Sequence, residues 1–275
     1  MIEILKAIAQ GIVQGITEWL PVSSTGHILL LDAIWKMNAS EAFFDVFKVI
    51  IQLGAIFAVV VLYFNKLNPF SPRKTVAEKK GTWVLWSKVL VASIPAAIAG
   101  LALDDLIDGV LSTPVVIATA LIVYGIAFIV MERRNHQTKV ETVEDITYKH
   151  AFGIGAFQML ALIPGTSRSG STILGASLLG TSRTAAAEFS FFMAIPVMLG
   201  ASGLKLAKGI LLDGIVFSGE EWVLLAVATV VSFVVSLLVI RALMAFIKKH
   251  SFAPFGWYRI VLGAVVLLCV LVGWL

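Results

Sequence analysis

Six uninterrupted apolar runs constrain this chain more than any other feature. They are Val46–Phe64, Trp83–Leu103, Thr113–Met131, Ala186–Leu204, Trp222–Leu243 and Trp257–Leu275. Each approaches the roughly 20 residues that an α-helix needs to cross the ~30 Å hydrocarbon core of a bilayer. Tryptophans at their ends (Trp83, Trp222, Trp257 and Trp274) suit interfacial anchoring. Composition agrees: 59% of the 275 residues are hydrophobic and 14% are charged, against about 45–50% and about 25% in soluble domains. So few charges cannot cover a water-soluble globule. The sequence predicts an all-α polytopic membrane protein, folded as a single integral membrane domain over residues 1–275.

Several classes drop out. A transmembrane barrel would alternate in polarity over segments of about ten residues, which continuous runs do not. The single cysteine, Cys269, lies within the last apolar run and provides neither a disulfide framework nor a zinc cluster. The opening stretch Met1–Trp19 lacks a basic region and a small-residue cleavage site, so it is not expected to be a removable signal. The net charge of +4 reflects basic loops on one side of a membrane rather than nucleic-acid binding.

Two further apolar regions, about residues 4–35 and 150–179, are each broken by a polar motif. The breaks are Pro21-Val-Ser-Ser-Thr-Gly-His27 and Pro164-Gly-Thr-Ser-Arg-Ser-Gly170. The return arms, Ile28–Ile34 and Ser171–Leu179, are too short to cross at 1.5 Å per residue. Both regions are therefore expected to be re-entrant helical hairpins with polar tips inside the membrane. Irregular backbone survives there only when protein or a water-filled cavity surrounds it.

Charge orients the chain. Lys66, Arg73, Lys74, Lys79 and Lys80, then Arg133, Arg134, Lys139 and Lys149, then Lys248 and Lys249 mark cytoplasmic loops. Asp104, Asp105 and Asp108, then Asp213, Glu220 and Glu221, mark the opposite side, where Lys36, Lys48, Lys205 and Lys208 blur the bias. With three spans between the hairpins, the first enters from outside and the second from the cytoplasm. Gly11, Gln14 and Pro21 answer to Gly155, Gln158 and Pro164 with a one-residue gap. The expectation is an inverted-topology repeat, with a first half over 1–131 and a second over 150–275, meeting at the membrane midplane.

The tips hold the polar residues that burial makes costly. Gln14 and Glu18 share a helix face, and Ser23, Ser24, Thr25 and His27 follow. Ser23 and Thr25 also suit capping of the next helix, and an intramembrane His commonly packs in a hydrogen bond. An intramembrane glutamate or arginine more strongly marks function. Arg168, in a glycine-flanked turn opening onto a helix, admits an ion pair with Glu18. It also admits a phosphate site built from its planar fork and free backbone N–H groups, the favoured reading. Pro95 and Pro196 are read as kinks within spans, and Glu188 as a first-turn charge. Together the tips suit metal-assisted phosphoryl transfer on a lipid phosphate. They also accommodate an inverted-repeat transporter or flippase for an anionic lipid phosphate.

The stretches Gln14-Gly-Ile-Thr-Glu-Trp-Leu-Pro-Val-Ser-Ser-Thr-Gly-His27 and Pro164–Gly170 closely resemble the bacterial undecaprenyl-diphosphatase family, the bacitracin-resistance type called BacA or UppP. The resemblance covers essentially the whole chain. It implies hydrolysis of undecaprenyl diphosphate to undecaprenyl phosphate and inorganic phosphate, recycling the lipid carrier of cell-wall synthesis and conferring bacitracin resistance. It implies a multi-pass protein of the bacterial cytoplasmic membrane, with the active site open to the extracytoplasmic side. It also implies a divalent cation, Mg2+ or Ca2+. The family's (E/Q)-x-x-x-E pattern falls on Gln14 and Glu18, leaving Glu18 as its single carboxylate.

On that resemblance, Glu18 holds the cation with Gln14 as a neutral oxygen ligand. Ser24 is the preferred nucleophile over a metal-activated water, with His27 as its base or as acid to the leaving oxygen. Arg168 acts on the diphosphate, and Ser23, Thr25, Ser167, Ser169, Gly170 and Thr172 help to bind it. The expected partners are the lipid substrate and membrane lipids, with no nucleic acid. A homodimer is compatible with the sequence.

Overall fold

The computed structural model describes residues 1–103, 113–134, 138–209, 214 and 217–273. The acidic positions Asp104, Asp105, Asp108 and Asp213, and the anchor Trp274, lie outside the described residues. The described chain is helical, with one isolated bridge between Val140 and Thr181. We number ten helices: α1 Ile2–Thr17, α2 Ser24–Ile34, α3 Glu41–Leu62, α4 Val76–Ala102, α5 Pro114–Arg133, α6 Tyr148–Met159, α7 Arg168–Leu178, α8 Arg183–Ala207, α9 Gly219–Ile247 and α10 Ala253–Leu271. A single turn, Phe64–Leu67, links α3 to α4.

Six helices, α3, α4, α5, α8, α9 and α10, are long and apolar enough to cross a membrane, and they contain the cores of the six expected spans. Their starts follow local rules. Ser40, Thr75, Thr113, Ser182 and Ser218 accept N-capping hydrogen bonds, and Thr75–Glu78 and Ser218–Glu221 form complete capping boxes. Pro95 and Pro196 sit inside α4 and α8 without ending them. Glu188 pairs with Lys66 at 2.9 Å.

The two broken regions form helix pairs. α2 and α7 have 11 residues each, about 16 Å at 1.5 Å per residue, half a bilayer core. The two ends of the first pair lie close together. Lys6 Nζ donates to Lys36 O at 2.6 Å, and Asn38 N donates to Glu3 Oε2 at 2.9 Å. Around the second pair, Lys139 N donates to Gly180 O and Ser182 N to Val140 O, both at 2.8 Å.

Packing is crosswise. α1 lies on α9 and α6 on α4, α3 contacts both α8 and α9, and α5 pairs with α10. At the last contact a Cβ on Gly125 would lie 2.7 Å from Gly256 O, and one on Gly256 would lie 2.7 Å from Gly125 O. Such reciprocal small residues let backbones close where lipid provides no hydrophobic drive. Phe189, Phe191 and Phe192 of α8 are fully buried, and Phe191 meets Trp19 edge-on at 5.1 Å between centroids. Phe191 thus packs on Trp19 beside the first tip, while Ser190 next to it reaches Arg168 at the second.

Candidate active site

Both tips turn through the same unusual backbone. Ser23 and Ser167 have φ of 74° and 75°, the only non-glycine positive values among the described residues. Each caps its return helix, accepting from Gly26 N at 3.4 Å and Gly170 N at 3.1 Å. A non-glycine residue held there stores on the order of 1–3 kcal/mol, characteristic of functional turns. The turns bring the first side chains of α2 and α7 within hydrogen-bond reach of one common point. Ser24 and Arg168 are the first residues of these helices.

Glu18 is that point. It ends α1, is 4% exposed, and its carboxylate gathers three side chains. Arg168 Nη2 donates to Oε1 at 3.0 Å, while Gln14 Nε2 and Ser24 Oγ each donate to Oε2 at 2.9 Å. Ser169 Oγ is 3.0 Å from Glu18 O and 3.1 Å from Leu20 O, tying one tip to the other, and lies 3.1 Å from Ser167 Oγ. The far edge of Arg168 is held by Ser190 of α8, with Nη1 at 2.8 Å from its carbonyl and 3.3 Å from its hydroxyl. Thr172 Oγ1 approaches Ser190 Oγ at 2.6 Å, and the guanidinium lies 5.9 Å from the Trp19 ring centroid. Thr25 is exposed on the same turn.

The ion pair that sequence reading allowed for Arg168 is therefore present. It uses only one end of the fork: Arg168 Nε is buried with no partner. The Ser24–His27 contact that a base role for His27 would use is not made. Ser24 turns to Glu18, whereas His27 Nδ1 meets Ser23 O at 2.7 Å and Nε2 meets the Tyr258 hydroxyl at 2.6 Å. With Nδ1–H donating to the carbonyl, Nε2 accepts from Tyr258. The two rings also stack, 5.6 Å apart at 4°.

The sequence reading missed Tyr258, Arg259 and Ser190. Arg259 is fully buried on α10, and no acidic partner is found among the described residues. A lone arginine inside an apolar span was a signal in its own right. Tyr258 and Ser190 carried none, since each is ordinary in a span.

A hard divalent cation takes six or more oxygen ligands. Among the described residues no three His, Cys, Asp or Glu side chains cluster, so no cage of that kind is built. A narrower fit remains. Gln14 Oε1 is buried without a partner beside Glu18, so the two side chains offer oxygen ligands to a cation completed by phosphate oxygens and water.

Comparison with known proteins identifies the family. The family model for the bacitracin resistance protein BacA matches residues 7–265. The chain belongs to the BacA family. It is 56% identical over 264 residues to the undecaprenyl-diphosphatase of Enterococcus faecalis, covering 95% of each chain. It is 57% identical over 267 residues to undecaprenyl-diphosphatase 1 of Clostridioides difficile, covering 97% of this chain and 96% of the relative. The undecaprenyl-diphosphatase of Lactiplantibacillus plantarum is 56% identical over 269 residues, 97% of this chain and 98% of the relative.

Proposed function

We propose that this BacA-family protein hydrolyses undecaprenyl diphosphate to undecaprenyl phosphate and inorganic phosphate. The observation that carries this reading is the Glu18 carboxylate, shared by a serine hydroxyl and an arginine fork at two converging helix N-termini. The names of its relatives agree with it.

Ser24 is the nucleophile. Its Oγ attacks the terminal phosphorus while its proton passes to Glu18 Oε2, 2.9 Å away. The new Ser24 Oγ–P bond replaces the bond from phosphorus to the bridging oxygen, and undecaprenyl phosphate departs. Protonated His27, its Nε2–H released from Tyr258, gives that proton to the departing oxygen and returns to the neutral tautomer whose Nδ1–H stays on Ser23 O. Water then cleaves the phosphoserine, giving inorganic phosphate and restoring the hydroxyl. Arg168 closes on the phosphoryl oxygens, with Ser23, Thr25, Ser167, Ser169, Gly170 and Thr172 around them. A divalent cation, Mg2+ or Ca2+, would be held by Glu18 and Gln14 and would supply positive charge to the phosphate oxygens.

We propose the same reading for the architecture. The two halves, 1–131 and 150–275, form an inverted repeat with re-entrant hairpins at α1–α2 and α6–α7. The equal lengths of α2 and α7, the paired positive-φ serines and the crosswise packing support it. The basic loops then face the cytoplasm of a bacterial cell, and the site opens extracytoplasmically. Closed inverted repeats also build transporters, so the deciding experiment separates the two. Purified protein in detergent should release phosphate from a prenyl diphosphate, stop with chelator and resume with Mg2+ or Ca2+. No release with any cation overturns hydrolysis in favour of transport.

A further inference from the structure

Neither hairpin tip can satisfy its own backbone. Pro21 O, Gly165 O and Thr166 O all belong to irregular turns at buried residues. Left without donors, such carbonyls cost about 1–3 kcal/mol each. One side chain answers all three. Arg259 Nη1 donates to Pro21 O at 2.9 Å, and Nη2 to Gly165 O and Thr166 O, each at 2.9 Å. Longer contacts reach Leu121 O at 3.4 Å from Nε and Ala120 O at 3.5 Å from Nη2, and the guanidinium lies 5.5 Å from the Tyr124 ring centroid.

The arrangement is reciprocal. A fully buried guanidinium without a carboxylate is costly, and carbonyl dipoles from two separate turns are what solvate it. Only a planar group with donors on several edges serves carbonyls arriving from two directions. Gly170 fits the same requirement: a Cβ there would lie 3.2 Å from Arg259 Nη1. One tip carries Glu18 and Ser24 and the other carries Arg168, so their relative position sets the geometry of the whole constellation.

We infer that Arg259 is a positioning residue, locking the two hairpin tips in register so that Ser24 and Arg168 address the same phosphate. This rests on the phosphatase reading given above. Ser169 is a parallel tie, joining the second tip to Glu18 O and Leu20 O.

Register matters most where reacting atoms must align, so its loss should appear in kcat rather than KM. Arg259→Lys keeps the charge but replaces the fork with a single ammonium that cannot reproduce both sets of bonds. It should lower kcat at least about 10-fold with KM changed less than about threefold. Amide hydrogen exchange should quicken at residues 20–27 and 163–170 together, with α4 and α9 unchanged. Adding Ser169→Ala should lower kcat beyond the product of the single effects, because the two ties are redundant. Gly170→Ala, which crowds Arg259 without removing it, provides a milder variant if Arg259→Lys does not fold. It should quicken exchange at the first tip as well as its own. Normal kcat and unchanged exchange at the tips, in whichever variant folds, would overturn the inference. So would exchange that rises evenly through the protein, the mark of a general stabiliser. The exchange readout needs no turnover, so a wild-type protein that releases no phosphate defeats the phosphatase reading alone.

Discussion

Glu18 and Arg168 each do two jobs, and single substitutions separate them. The carboxylate of Glu18 balances Arg168 and holds Ser24 and Gln14. Glu18→Gln keeps shape and hydrogen-bonding capacity but removes the charge that attracts a hard cation. It should abolish phosphate release while the protein stays folded, because the proton acceptor for Ser24 is lost with the charge; residual release with an unchanged cation dependence would move the metal elsewhere. Arg168→Lys preserves the charge of the ion pair but not the fork. If the fork aligns with charge redistributed in the transition state, kcat falls at least about 100-fold, roughly 2.7 kcal/mol, and KM changes far less. Near-normal kcat in a folded variant would leave Arg168 as Glu18's counterion only. None of this energy is visible in the ion pair as such, because a buried pair adds little net stability over an apolar substitute.

Between elements, close approach and a polar clasp hold the bundle. α5 and α10 meet through Gly125 and Gly256, where each added Cβ would strike the other backbone at 2.7 Å. Gly256→Leu should cost at least about 1–3 kcal/mol by overpacking, read as a lower thermal midpoint. It should also cost activity, since α10 carries Tyr258 and Arg259 to the site. At the basic end, Lys66 joins Glu144 at 3.0 Å and Glu188 at 2.9 Å, bringing α8 to the loop before α6. Burial raises the Glu144 carboxyl, but the hydrogen bond and charge of Lys66, with hydrogen bonds from its own backbone N–H and from Thr142, together outweigh it and the net shift is downward. For Lys66, burial would lower the ammonium, but its hydrogen bonds to Glu188 and Glu144 leave it raised. A lowered acid stabilises above its unfolded pKa and loses that contribution as pH falls through the folded value. A raised base loses its contribution as pH rises through its own folded value. Thermal stability from this clasp should thus be flat between the unfolded carboxylate and lysine ranges and fall on either side. Lys66→Met should remove the part of the acid-side slope that Glu144 contributes.

For the whole molecule, the proposed inverted repeat makes a claim about sidedness. Lys80 lies in the first helical turns of α4 and Glu220 in the first turn of α9, and both are exposed. In a background without Cys269, cysteines at these two positions should label from opposite faces of sealed cells or vesicles, Glu220 from outside. Labelling of both from one face would break the topology. The crosswise packing of α1 on α9 and α6 on α4 further means that neither half is a closed unit. Each hairpin finds its main partner in the other half.

The sequence by itself determined the class, the six spans and the contents of the two tips. Apolar run length is a local property that the bilayer reads directly, although the capped helices start ahead of the runs, at Glu41, Val76 and Gly219 rather than Val46, Trp83 and Trp222. It also placed Glu18, Ser24 and Arg168 in breaks too polar to be lipid-facing. Only the tertiary structure decided their pairings. Ser24 and His27 are three residues apart, yet one turns back six residues to Glu18 and the other meets Tyr258, 231 residues away. The fork of Arg259 could be seen in the sequence as a lone charge in a span, but not as the link between the tips. Its three close carbonyls come from backbone at Pro21, Gly165 and Thr166, and backbone carbonyls are common to every residue, so no side-chain pattern encodes which of them will face a cation.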